Sequence, residues 1–197
     1  WAGGGAMNDG TIRPGGGATG SSACAATIVA QLVVQGVREV VLAPGSRSAP
    51  LALALARAEA RDEVRLHVRY DERSAGFLAL GLAKASGVPV AVVTTSGTAV
   101  GNLLPAVMEA HHAGVPLLVV SADRPAAMVG FGANQTTDQV RLFEPFVRWS
   151  ARVSSAAPSQ SWSAQTARAW LIATGVVSRH PGPVHLNVEL AEPLVGP

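Results

Sequence analysis

From residue 24 onward the chain switches between two hydrophobic periods. Cys24 to Gln35 is apolar at helical spacing, and Gly36 stops it. Val37 to Ala43 is a short β-branched run, which predicts a strand. Leu51 to Ala60 is rich in Ala and Leu and predicts a helix. Arg65 to Tyr70 predicts a strand, and Ser74 to Ser86 a helix ended by Gly87. The same alternation continues with a strand at Pro89 to Thr95, a helix at Thr98 to His112 and a strand at Pro116 to Ser121. A long loop follows, with one short helix expected near Asp138 to Phe143. A strand at Val147 to Val153, a helix at Ser163 to Ser178 and a strand at Pro183 to Leu190 complete the pattern.

Strands alternating with helices of ten or more residues imply βαβ crossovers. The middle strands are apolar at consecutive positions, as strands covered by helices on both faces must be. The fold class expected is therefore α/β, a three-layer α/β/α unit on a mainly parallel sheet of about six strands. It is assigned to residues 23–197. Residues 1–22, rich in Gly, read as a flexible tail, with residues 1–6 left by an expression vector and Met7 as the native start.

Composition narrows the function classes. Hydrophobic residues make up 48% and charged residues 14%, with a net charge of +2, which fits a buried α/β unit and argues against disorder. No Lys/Arg run interleaves with aromatics, so no nucleic-acid partner is expected. No apolar run is long enough for a transmembrane segment, and a cytoplasmic location is expected. The single cysteine, Cys24, allows no internal disulfide and reads as a packing residue. His67, His111, His112, His180 and His185 show no metal-ligand spacing, so no metal is assigned to this chain's own residues. Trp149, Trp162 and Trp170 read as packing or interface anchors.

Ligands of open parallel sheets bind outside the carboxyl ends of the strands. The residues just after each predicted strand are therefore the informative ones. They are Pro44-Gly45-Ser46-Arg47-Ser48, Asp71-Glu72-Arg73, Ser96-Gly97-Thr98 and Ala122-Asp123-Arg124-Pro125. Ser46 or Ser48 can cap the next helix and leave backbone N–H groups for an anion, and Arg47 can grip a carboxylate with two donors. The same loop can equally be a plain turn with a solvated arginine. Glu72 is either a helix N-terminal charge or a catalytic acid. Gly97 and Thr98 either admit a flat ligand or merely let strand and helix pack closely. Asn134 and Gln135, in the long loop, offer neutral donors and acceptors or form an ordinary turn. There is no Walker pattern and no G-x-G-x-x-G after the first strand, so a dinucleotide site loses its best support.

As a set, these loops carry a resemblance. Tyr70-Asp71-Glu72-Arg73, Gly81-Leu82-Ala83-Lys84, the run Thr95 to Asn102, and Val115 to Val119 resemble the pyrimidine-binding domain of thiamine-diphosphate enzymes. Pro44 to Pro50, Ala122 to Pro125 and Gly132-Ala133-Asn134-Gln135 resemble the menaquinone-biosynthesis branch, the MenD synthases. The resemblance covers roughly Ala25 to Leu194.

The resemblance implies thiamine diphosphate and Mg²⁺ as cofactors, with 2-oxoglutarate and isochorismate as substrates of a C–C bond-forming transferase. It implies that Glu72 hydrogen-bonds N1′ of the cofactor's aminopyrimidine and so activates thiazolium C2. It places Gly97 and Thr98 on the cofactor side. It places Ser46, Arg47, Arg124, Asn134 and Gln135 on the substrate side. The family holds diphosphate and Mg²⁺ on another domain, through a Gly-Asp-Gly motif that this sequence lacks. The chain is therefore expected to need further domains, to be inactive alone, and to work as a homodimer or homotetramer. Three alternatives stay open: another thiamine carboligase of the acetolactate-synthase kind, a non-catalytic nucleotide- or acyl-binding module, and a purely structural domain kept for dimerisation.

Overall fold

β-Branched runs and Ala-rich stretches sort themselves as the periodicity predicts. The computed structural model describes residues 20–195. Six strands form one sheet: β1 (Glu39–Leu42), β2 (Arg65–Val68), β3 (Val90–Thr94), β4 (Leu117–Asp123), β5 (Trp149–Ser154) and β6 (Val184–Glu189). Their order is β2-β1-β3-β4-β6-β5, and every pairing is parallel. The helices are α1 (Gly20–Val34), α2 (Ala49–Glu59), α3 (Glu72–Ser86), α4 (Thr98–Gly101), α5 (Leu104–Ala113) and α6 (Ser159–Thr174).

The period-2 rule divides the core in two. Val40, Leu42, Ala91, Val93, Leu118 and Val120 point to the face covered by α1, α2 and α6. Val41, Val90, Val92, Leu117 and Val119 point to the face covered by α3 and α5. The expected three-layer α/β/α fold is thus present, and its sheet is wholly parallel. Cys24 and Trp162 are buried in the first core. Burial pushes the Cys24 thiol up to about 12, which keeps it protonated at neutral pH.

Several boundaries differ from the sequence reading, each for a local reason. The tail expected at residues 1–22 falls, up to residue 19, outside the described residues. Gly20 to Ser22 already belong to α1. Ser21 is buried there and its hydroxyl donates to the Ala191 carbonyl at 2.6 Å. The single helix expected over Thr98 to His112 is broken at Asn102-Leu103. Pro105 has no N–H for the Gly101 carbonyl, and its ring crowds that carbonyl. No helix forms at Asp138 to Phe143. The segment instead makes isolated i→i+3 turns, with Leu142 N–H donating to Gln139 and Glu144 N–H to Arg141. Pro145 ends it, because a residue before proline is steered away from the helical region. Helix α6 stops at Gly175, in the left-handed region, rather than running on to Ser178. A single turn of 3-10 helix, Ala126–Met128, is the only helical piece of the long loop.

Candidate functional site

The sheet reverses its winding between β1 and β3, which opens a crevice at their carboxyl ends. Four loops meet above that edge. Asp71 caps α3 by accepting from the Ser74 N–H (2.7 Å) and hydroxyl (2.6 Å), which sets Glu72 as the first helical residue. One Glu72 oxygen, Oε2, accepts from the Asn102 side-chain amide at 3.2 Å. Among the described residues no donor reaches Oε1. Asn102 closes the four-residue α4 that Thr98 opens, so Thr98 lies roughly 6 Å along the helix from Asn102. Gly97 caps α4 at φ 76°, ψ −138°, a conformation open only to glycine. A half-buried carboxylate with one unclaimed oxygen, beside a small-residue turn, fits an aminopyrimidine that donates from a ring nitrogen.

The arginines come together on the other side of this edge. Arg124 donates to the Ser96 hydroxyl (2.8 Å) and to the Gln135 carbonyl (2.9 Å). Gln135 donates back to the Ser96 carbonyl at 2.9 Å. Arg47 donates to the Leu190 carbonyl (3.0 Å) and to Glu192 (3.1 Å). Its Nε is buried with no partner among the described residues. Partial burial, and after it the nearby Arg47 charge, hold the Arg124 guanidinium below its ordinary range. Two cations sharing one shallow site favour a multiply charged anion, which would relieve both effects.

The expected site residues do not all behave alike. Arg124 and Gln135 bond to each other, and Arg47 lies within electrostatic reach of Arg124. Asn134 is exposed beside them, and Thr136 donates to its backbone carbonyl. Ser46 is exposed, and its carbonyl accepts the Ala49 N–H. The capping expectation for the first loop needs correction. Ser48 sits at the cap of α2, but its hydroxyl turns back onto Gly45. With the Ala49 N–H used by Ser46 and Pro50 carrying none, α2 offers little of an anion-binding N-terminus. Gly45 instead serves close approach. A Cβ there would fall 2.4 Å from Thr95 Cβ, so only glycine lets the first and third loops touch.

Beneath the site lies a buried polar layer that the loop-by-loop reading missed: Ser121, Asp123, Gln139, His185 and Asn187. Asn187 donates to Asp123 at 2.8 Å, and Gln139 donates to Asn187 at 2.7 Å. Burial raises the Asp123 and Glu189 carboxyls above their ordinary range, against the pull of Asn187 and Arg152 respectively. The signal for most of this layer was the polar residues Ser121, Asp123, His185 and Asn187 inside strands otherwise apolar; Gln139 joins it from the long loop. No group of three potential metal ligands occurs among the described residues.

His185 has a measurable consequence. It is fully buried against Phe143 and bonded through Nε2 to the Ser121 hydroxyl (2.7 Å), and burial pushes its imidazole down to about 3. The unfolded chain takes up this proton near pH 6.5. A depressed folded value means stability is present above pH 6.5 and is lost as pH falls towards 3. His185 alone should remove about 2 kcal/mol between pH 7 and 5. Asp123 and Glu189, being raised, act with the opposite sign in the acid range. Urea unfolding of the parent and of His185→Gln at both pH values isolates the effect. The variant should lose less stability on acidification, and an equal loss in both would refute the assignment.

The comparisons with known proteins fit this geometry. The family model described as thiamine pyrophosphate enzyme, N-terminal TPP binding domain, matches residues 23–142. A 2-succinyl-5-enolpyruvyl-6-hydroxy-3-cyclohexene-1-carboxylate synthase of Kineococcus radiotolerans is 58% identical over 179 residues, covering 88% of this chain and 32% of that protein. A synthase of the same name from Arthrobacter sp. (strain FB24) is 59% identical over 170 residues, covering 86% and 28%. One from Mycobacterium bovis is 50% identical over 183 residues, covering 89% and 33%. The chain thus spans about a third of the length of the curated relatives it matches. On the family match, the parallel sheet and the loops at its carboxyl edge, the chain belongs to the N-terminal TPP-binding domain family of thiamine pyrophosphate enzymes.

Proposed function

We propose that this chain is the N-terminal domain of a synthase of menaquinone biosynthesis, one that decarboxylates 2-oxoglutarate and adds the four-carbon product to isochorismate. The observation that carries the reading is Arg124, bonded to Ser96 and Gln135, with the Arg47 charge near enough to act on it. Both substrates carry two carboxylates, and both need cations in a shaped site.

Bound thiamine diphosphate supplies the electron sink for decarboxylation. The chain's own residues have three tasks. Glu72 holds a proton at the pyrimidine N1′ through its unclaimed oxygen. Gly97 and Thr98 border the ring, and Asn102 steadies Glu72. Arg47 and Arg124 bind and orient carboxylates, with Ser46, Asn134 and Gln135 as neutral neighbours. Diphosphate and Mg²⁺ fall to a domain outside this chain. Val68 and Tyr70, just before Glu72, and Phe77, in the same helix, are exposed, which supports a homodimer or homotetramer with Glu72 serving its partner's cofactor.

The test is isochorismate consumption dependent on 2-oxoglutarate by the full-length enzyme with Mg²⁺ and thiamine diphosphate. Arg124→Ala should raise KM for isochorismate by roughly 10–100-fold, the equivalent of one hydrogen bond to a charged group. A carboligase of the acetolactate-synthase kind takes less highly charged substrates. It predicts a change of less than about threefold for Arg124→Ala, and turnover of pyruvate.

A further inference from the structure

We propose that Gln139 is a positioning residue that closes a ring of hydrogen bonds between the cofactor turn and the substrate arginine. The inference deepens the proposed function, because it rests on Gly97 facing the cofactor and Arg124 facing the substrate.

Gln139 is fully buried although it sits in the long loop. Its Oε1 accepts the Gly97 N–H at 3.0 Å. Its Nε2 donates to Asn187 Oδ1 (2.7 Å) and to the Ala122 carbonyl (3.0 Å). Asn187 Nδ2 donates to Asp123 Oδ2 at 2.8 Å, and Asp123 Oδ1 accepts the Arg124 N–H at 2.8 Å. Arg124 then reaches over to the Ser96 hydroxyl, and Ser96 is the neighbour of Gly97. The path from Gly97 through Gln139, Asn187, Asp123, Arg124 and Ser96 therefore returns to its start. Gln135 is tied into the same ring through both Ser96 and Arg124.

Each member is held from two sides, so none can shift alone. The amide of Gln139 can take only one orientation here: a flip would put its oxygen against Asn187 Oδ1 and the Ala122 carbonyl, and its NH₂ against the Gly97 N–H. Buried networks of this kind are rigid when complete and unfavourable when broken, since every orphaned group stays out of water. Gln139 and Arg124 share no direct bond, yet each sets the other's position through the ring.

The first test is amide hydrogen exchange on the full 197-residue chain. Gln139→Met keeps the side-chain length and removes every bond. Exchange should rise about tenfold or more in the segments 95–98 and 132–137, while β3 and α1 stay protected. A uniform rise across the chain, or no rise in these segments, would overturn the proposal. If the methionine variant does not fold, Gln139→Glu takes its place. It keeps the acceptor for Gly97 but replaces the donor with a carboxylate oxygen facing Asn187 Oδ1 and the Ala122 carbonyl, so the ring opens on that side and the same two segments must respond.

The second test is a double-mutant cycle in the full-length enzyme. Gln139→Met should raise both the Kd for thiamine diphosphate and the KM for isochorismate five- to tenfold. Combined with Arg124→Lys, the losses in kcat/KM should fall well short of the product of the single effects. Fully multiplicative losses would sink the ring. A parent enzyme inactive with these substrates would sink the proposed function instead, and the exchange experiment would still decide the ring.

Discussion

Glu72→Gln in the full-length enzyme should lower kcat by about 10²–10⁴-fold while leaving the fold unchanged. The loss is that of a positioned acid/base group, about 3–5.5 kcal/mol of barrier. Glutamine has the same length, and its oxygen still accepts the Asn102 amide seen at 3.2 Å. What it lacks is a negative charge at the second oxygen to hold a proton on N1′. The competing role for Glu72, a favourable charge at the start of α3, stabilises by about 0.3–1 kcal/mol only. The two roles therefore separate cleanly. The first predicts a dead enzyme with an unchanged Tm. The second predicts an active enzyme with a Tm lower by a few degrees. The measurement is kcat at saturating thiamine diphosphate, beside a thermal melt. Activity retained within about threefold would leave the family assignment standing and remove Glu72 from the activation step.

The alternation of periods made the fold legible because the inner strands β3, β4 and β6 are buried at every position, while the edge strands β2 and β5 are only partly covered. Val90 to Thr94 is buried at every position and reads as a strand by its β-branched run alone. The loops were legible for a related reason. A parallel sheet sends all its carboxyl ends to one edge, so Arg47, Glu72, Gly97 and Arg124 could be placed together without coordinates. What could not be read was which groups each loop would bond. Ser48 looked like a helix cap, but the tight turn at Gly45 offered its hydroxyl a nearer donor and acceptor. The short helix expected near Asp138 to Phe143 gives way to isolated turns. The burial of Gln139 against β4 and β6 is a long-range effect that outweighs that local preference. Asn187 and His185, polar residues in a strand, were visible as oddities. Their partners Asp123 and Ser121 each lie 64 residues away, beyond the reach of any local pattern.

Gly97→Ala should destabilise the chain by about 2–4 kcal/mol, or lower Tm by roughly 5–15 °C. Two costs add. At φ 76° and ψ −138° an L-residue is strained by about 1–3 kcal/mol. The new Cβ would also lie 2.8 Å from Gln135 Cγ and 2.9 Å from the Gln135 carbonyl oxygen. A side-chain rotation relieves the first contact but not the second, which is backbone. Gln135 is itself at φ 54° and bonded to Ser96 and Arg124, so its backbone is poorly placed to give way. The loop must move as a unit, which takes Gln135 off Ser96 and loosens Arg124. The variant should therefore lose protection in segment 132–137 together with its stability. A thermal melt and hydrogen exchange on the 197-residue chain check both. A Tm within about 1 °C of the parent would mean that Gly97 is chosen for close approach of a ligand and not for the approach of Gln135. The crevice between the third loop and the long loop would then have to be wider than this packing allows.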